Sequence, residues 1–160
     1  MEKIKQLIIE LNDERKKISE RRSLWKESLR NLIISQLEYY CDQVDEDWHV
    51  STNQSKKNYE SVYIAFGNVP SGIFDREQNN HLMLSGGALH FSQIYNGKLY
   101  VWIEYPYIKD LSYHKPPYKD LGMVEPNDLD EETIEKYVEE FIEEIIKSEA
   151  RERRLIGFNK

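Results

Sequence analysis

The chain of 160 residues contains one cysteine, seven glycines and five prolines, and no apolar run near the roughly 20 residues that a membrane-spanning helix needs. The lone Cys41 cannot close an intramolecular disulfide, so packing alone must hold the fold. No apolar N-terminal stretch resembles a signal peptide, and the expected setting is cytoplasmic and away from membranes. A basic surplus is also lacking. With 22 Lys and Arg against 29 Asp and Glu, the net charge is −7. Binding to phosphate backbones is driven by excess cations, so nucleic acid is not an expected partner, whereas solubility and a basic protein partner both suit this balance. There is no Gly-rich phosphate loop, no GxSxG and no HExxH. His49, His81, His90 and His114 do not stand at zinc-ligand spacing, and the acidic run Asp42–Asp47 lacks the Gly and terminal Glu of a calcium loop. Neither a metal nor a cofactor is expected.

Gly and Pro are absent altogether from Glu2 to Val44, where apolar residues recur at Ile4, Leu11, Ile18, Trp25, Leu32 and Tyr39. That seven-residue spacing predicts one long helix. Its second seam position is filled at Ile8 and Leu29 but interrupted by Arg15 and Arg22, so the stripe thins between Asp13 and Arg22. Residues 1–20 are therefore read as a helical extension that projects from the domain or folds back at its polar stretch. If it projects, Ile4, Leu7, Ile8 and Leu11 need a partner, and a symmetric homodimer is the commonest solution. Packing on the C-terminal helix is the intramolecular alternative.

Strands are predicted at Trp48–Thr52, Ser61–Phe66 and His81–Leu84, and the strongest local signal follows in Ala88–Tyr105. There, two alternating apolar runs flank Asn96-Gly97, a pair suited to a two-residue type I′ turn. With those two as the turn, Phe91 pairs with Trp102 and His90 with Ile103. One face then carries His90, Ser92, Leu99, Val101 and Ile103, suited to lie under a helix. The other carries Phe91, Tyr95, Tyr100 and Trp102, an aromatic ladder read as a binding surface, or as a face covered by other chain segments. The stretch from Tyr105 to Asp128 reads as a long Tyr/Pro loop. A final helix starts at the N-cap Asp130, carries the apolar stripe Ile134, Val138, Phe141, Ile142, Ile145 and Ile146, and ends near Arg151, Arg153 and Arg154.

The fold class these elements imply is a single α+β domain over residues 1–160. A mainly antiparallel sheet of four or five strands carries the long N-terminal helix and the C-terminal helix on one face. The leading expectation for function is a non-catalytic protein-interaction or oligomerisation module.

One pattern points to chemistry instead. The triplets His49-Val50-Ser51 and His90-Phe91-Ser92 each lie on a predicted strand. Together they resemble the signature of 2H phosphoesterases, in which paired histidines move protons around a phosphodiester and the hydroxyls bind phosphate. The resemblance implies a small hydrolase using His49 and His90 with Ser51 and Ser92, and such chemistry requires both imidazoles on one substrate. That family has a duplicated βα architecture with a longer interval between motifs than this chain provides. Read from its own neighbourhood, His90 is a core-face histidine satisfied by an adjacent group.

Overall fold

The stretch without Gly or Pro forms a continuous helical rod in the computed structural model, which describes residues 1–111 and 116–150. Helix α1 spans Glu2–Leu24, a single π-helical turn spans Trp25–Leu29, and helix α2 spans Arg30–Gln43. At the π turn the Arg30 N–H bonds the Trp25 carbonyl, five residues back. The wider turn changes the phase of the apolar stripe. Trp25, Leu29, Ile33 and Leu37 are the buried residues of the rod, while Leu32 is only half-buried and Tyr39 is exposed, so the seven-residue seam does not continue past Trp25.

Strands β1 (Trp48–Asn53), β2 (Ser61–Phe66), β5 (Ala88–Gln93), β6 (Leu99–Glu104) and β7 (Tyr118–Val124) form an antiparallel sheet in the order β1-β2-β5-β6-β7. Between β2 and β5, β3 (Val69–Asp75) and β4 (Asn80–Leu84) pair with each other as a separate hairpin. A short 3₁₀ turn at Pro126–Asp128 leads into α3 (Glu131–Ala150), whose start is capped by Asp130: its carboxylate accepts the Thr133 N–H at 2.9 Å. The expected Tyr/Pro loop thus contains β7, an edge strand that its polar residues and Gly122 disguise. Tyr113, His114, Arg151, Arg153 and Arg154 lie outside the described residues.

Both helices cover one face of the sheet. The core joins Trp25, Leu29, Ile33 and Leu37 to Ile134, Val138 and Phe141, over Val62, Ile64, Leu89, Phe91, Leu99, Val101 and Ile103. Burial of each such side chain contributes about 1.5–3 kcal/mol, which makes this layer the main source of stability. Ile146, assigned to the same stripe from the sequence, is 61% exposed instead.

The hairpin register differs from the Asn-Gly expectation by one residue. Gly97 N–H bonds the Ile94 carbonyl and Ile94 N–H bonds the Lys98 carbonyl, so the loop is Tyr95-Asn96-Gly97, with only Gly97 at positive φ. This is the three-residue connection in which a left-handed glycine follows a type I turn. A one-residue slip moves side chains to opposite faces. His90 therefore pairs with Trp102 and Phe91 with Val101. Phe91, expected on the binding face, is fully buried under the helices; His90 and Ser92, expected under them, point to the uncovered side.

The rod is pinned to the sheet at this turn. Arg21 holds Glu125 through two bonds of 2.9 and 2.8 Å and donates to the Asn96 carbonyl at 3.2 Å, while Arg22 donates to the Tyr95 carbonyl at 2.6 Å. The hydrogen bond from Arg21 keeps the Glu125 carboxyl below its usual range despite the opposing effect of burial. Before Ile18 every residue of α1 is exposed.

On α3 the sequence stripe concealed a buried carboxylate. Glu144 accepts the Tyr105 hydroxyl at 2.6 Å, Lys119 Nζ at 3.0 Å and Lys147 Nζ at 3.2 Å. Burial alone would raise its pKa, but these three donors outweigh burial and bring it down from 4.5 to about 2. A carboxyl acidified by folding stabilises the protein above its unfolded pKa and loses that contribution as pH falls toward the folded value. The difference is worth roughly 3 kcal/mol. Urea denaturation of the wild type should accordingly show stability falling between about pH 4.5 and pH 2. Glu144→Gln should flatten that dependence; an unchanged slope would mean that the carboxylate is not held by these donors.

Candidate functional site

The face of the sheet that the described helices leave open is where the chain places chemically capable groups without burying them. Alternation sends Leu89, Phe91, Leu99, Val101 and Ile103 to the helices, and so sends His90, Ser92, Tyr100, Trp102 and Glu104 to the opposite side. Cross-strand pairing aligns Ser51, Tyr63, His90, Trp102 and Asp120 in one row across all five strands.

His90 is the centre of that row. Its ring stacks on Trp102 at 3.9 Å between centroids and 6° between planes, and on Tyr63 at 5.0 Å and 27°. Its Nε2 lies 3.2 Å from Glu104 Oε2, within hydrogen-bond distance. Trp102 Nε1–H donates to Ser92 Oγ at 3.3 Å. A cleft of about 810 Å³ opens here, lined by Tyr63, His90, Ser92, Trp102 and Glu104 and by the polar segment Thr52–Ser55. On the other side of Trp102, Tyr100, Pro116 and Tyr118 border an apolar corner of about 330 Å³.

The two triplets do not converge. His49 is exposed on the edge strand β1, pairs with Ala65 of β2, and is separated from His90 by the whole of β2 and a two-residue offset. Two strand spacings alone amount to roughly 9–10 Å. His49 does not line the cleft that holds His90 and Ser92, and Ser51 does not either. Among the described residues no serine or cysteine is hydrogen-bonded to His90, the arrangement a histidine-activated nucleophile requires. Cys41 is half-buried on α2, and burial pushes its thiol up, away from the reactive thiolate.

The aromatic set read from the sequence is divided by the structure. Tyr100 and Trp102 lie half-buried on the open face, Phe91 lies in the core, and Tyr95 stands 75% exposed in the hairpin loop. The one-residue slip concealed the closest partnership of the site, because it separated His90 from Trp102 and Glu104. Tyr63 could have been found from alternation in β2, but Tyr118 and Asp120 could not while β7 was read as loop.

Ile4, Leu7, Ile8 and Leu11 are 56%, 50%, 51% and 44% exposed along the free part of α1. No group of three or more His, Cys, Asp or Glu side chains among the described residues could hold a metal ion. No described helix is long and apolar enough to cross a membrane. Compared with protein-family models, curated proteins and solved structures, the chain matches none of them.

Proposed function

We propose that this chain is a non-catalytic cytoplasmic interaction module that self-associates as a homodimer through its first helix. The observation that carries the reading is the row Ile4, Leu7, Ile8 and Leu11, which sits at i, i+3, i+4 and i+7 on a helix whose residues are all exposed before Ile18. Helix propensity alone makes an isolated segment of this length marginal, and an amphipathic stripe ordinarily obtains its stability from a surface that covers it. In a symmetric pair both copies of the stripe are covered at once. Half of the full burial value for eight such side chains is roughly 6–12 kcal/mol. Association costs about 4–15 kcal/mol in lost translational and rotational freedom. The two terms are of the same size, so the population of such a dimer depends on concentration.

Light scattering should give a dimer mass at tens of micromolar protein. Ile8→Asp should return the monomer mass while leaving the helical circular dichroism of the domain in place, because Ile8 has no role in the core. A wild-type monomer at that concentration would sink the proposal. Open-face groups supply a second place for a partner to dock, and the hydrolase alternative is disfavoured by the separation of His49 from His90.

A further inference from the structure

Trp102 has two ring faces, and His90 stacks on one of them. His90, its direct partner on β5, stacks on the indole at 3.9 Å with the planes 6° apart, which occupies the side toward β5. The remaining face looks toward β7. There Tyr118 meets Trp102 at 88°, with 6.3 Å between centroids, and Tyr100 and Pro116 close the apolar corner of about 330 Å³. The ladder between β6 and β7 shifts register between Tyr100 and Trp102, and this irregularity leaves room in the corner.

Among the described residues, the corner is flanked by carboxylates. Asp120 is the cross-strand partner of Trp102 on the same face, is exposed, and is oriented by the Gly122 N–H at 2.6 Å. Tyr100 has its pKa raised by burial and then by Asp120, so the hydroxyl stays neutral beside that carboxylate. Glu104, the partner of Tyr118, adds a second carboxylate on this face. Electron-rich ring faces and nearby anions attract a cation, and no cationic side chain of the described chain borders the corner. Its walls are apolar rings with few groups able to replace water. A metal ion or primary ammonium would shed tight hydration there without compensation, whereas an ammonium whose charge is spread over alkyl groups sheds little.

We propose that Tyr100, Trp102 and Tyr118 form an aromatic cage for an alkylated ammonium cation, with Asp120 as its counter-charge. The cage stands apart from the α1 stripe, so the monomer or dimer mass does not decide it. The volume lies at the small end of ligand sites and fits a trimethylammonium head with its first methylenes.

The experiment follows the indole N–H resonance of Trp102 in full-length protein during titration with tetramethylammonium, with choline, and with 3,3-dimethylbutan-1-ol, the uncharged carbon analogue of choline. Saturable shifts are expected with both cations, and binding of the alcohol should be weaker by roughly tenfold or more, the scale of a desolvated cation–π contact. Tyr118→Ala, on an exposed edge-strand position, should weaken choline by a similar factor, and Asp120→Asn by several-fold. Equal binding of the alcohol, no saturation with either cation, or unchanged choline affinity in folded Tyr118→Ala protein would overturn the assignment. A peptide carrying trimethyllysine distinguishes the source: binding tighter than choline indicates a modified lysine on a partner protein, and weaker binding indicates a free small ammonium.

Discussion

Phe91→Ala is expected to lower folding stability by about 3–5 kcal/mol, while Trp102→Ala, one register of the same hairpin away, lowers it by only about 1–2 kcal/mol. Phe91 is fully buried, lies between Val62 of β2 and Val101 of β6, and meets Tyr137 of α3 edge-on at 5.9 Å. Truncating it removes the transfer free energy of the ring and leaves a cavity that three elements would have to move to fill. Trp102 is half-buried on the uncovered face, so its loss forfeits the stack on His90 and the bond to Ser92 without opening the core. Urea denaturation of both variants checks the pair. Equal losses would mean that the open face is in fact covered, and the surface argument for Trp102 would end with it.

Gly97→Val should cost about 4 kcal/mol, through two separate effects at one residue. Gly97 has φ of +80°, a conformation that a β-branched residue strongly resists. A Cβ placed there would also lie 2.7 Å from Arg21 Cβ and 3.1 Å from the Ile18 carbonyl oxygen, so the side chain would push the rod off the hairpin. The same displacement would strain the Arg21–Glu125 pair and the bonds from Arg21 and Arg22 to the loop carbonyls. Gly97→Asn separates the causes: Asn tolerates the left-handed conformation but keeps the clash. It should recover part of the loss and no more. A melting temperature unchanged by Gly97→Val would show that neither the turn nor the helix contact is as described.

How far the sequence could be read depended on whether a signal was local. Asp130 is legible as a cap because the hydroxyl, carboxylate and N–H that satisfy one another lie within three residues. The strands β1, β2, β5 and β6 are legible because alternation is a property of each strand alone. β7 is not legible, because an edge strand containing Lys119, Asp120 and Gly122 is stabilised by its partner β6 rather than by its own composition. The rod was legible as helix, yet its buried stripe was not, since the π turn adds a residue to the phase and is itself tied to the burial of Trp25, whose indole donates to Glu60 at 3.1 Å.

The amino-acid sequence by itself determined the α+β class, the two amphipathic helices, the existence of the β5–β6 hairpin and the apolar stripe Ile4, Leu7, Ile8 and Leu11. Only the tertiary structure decided the register of that hairpin, and with it the candidate site. A two-residue and a three-residue turn both accommodate Asn96-Gly97, and the chain settles on the second. That choice puts Phe91, Val101 and Leu89 under the helices and accommodates Gly97 against Ile18 and Arg21 of α1. The buried area gained on one face is what turns His90, Trp102 and Glu104 outward together on the other, because side chains in a strand have no third direction to take.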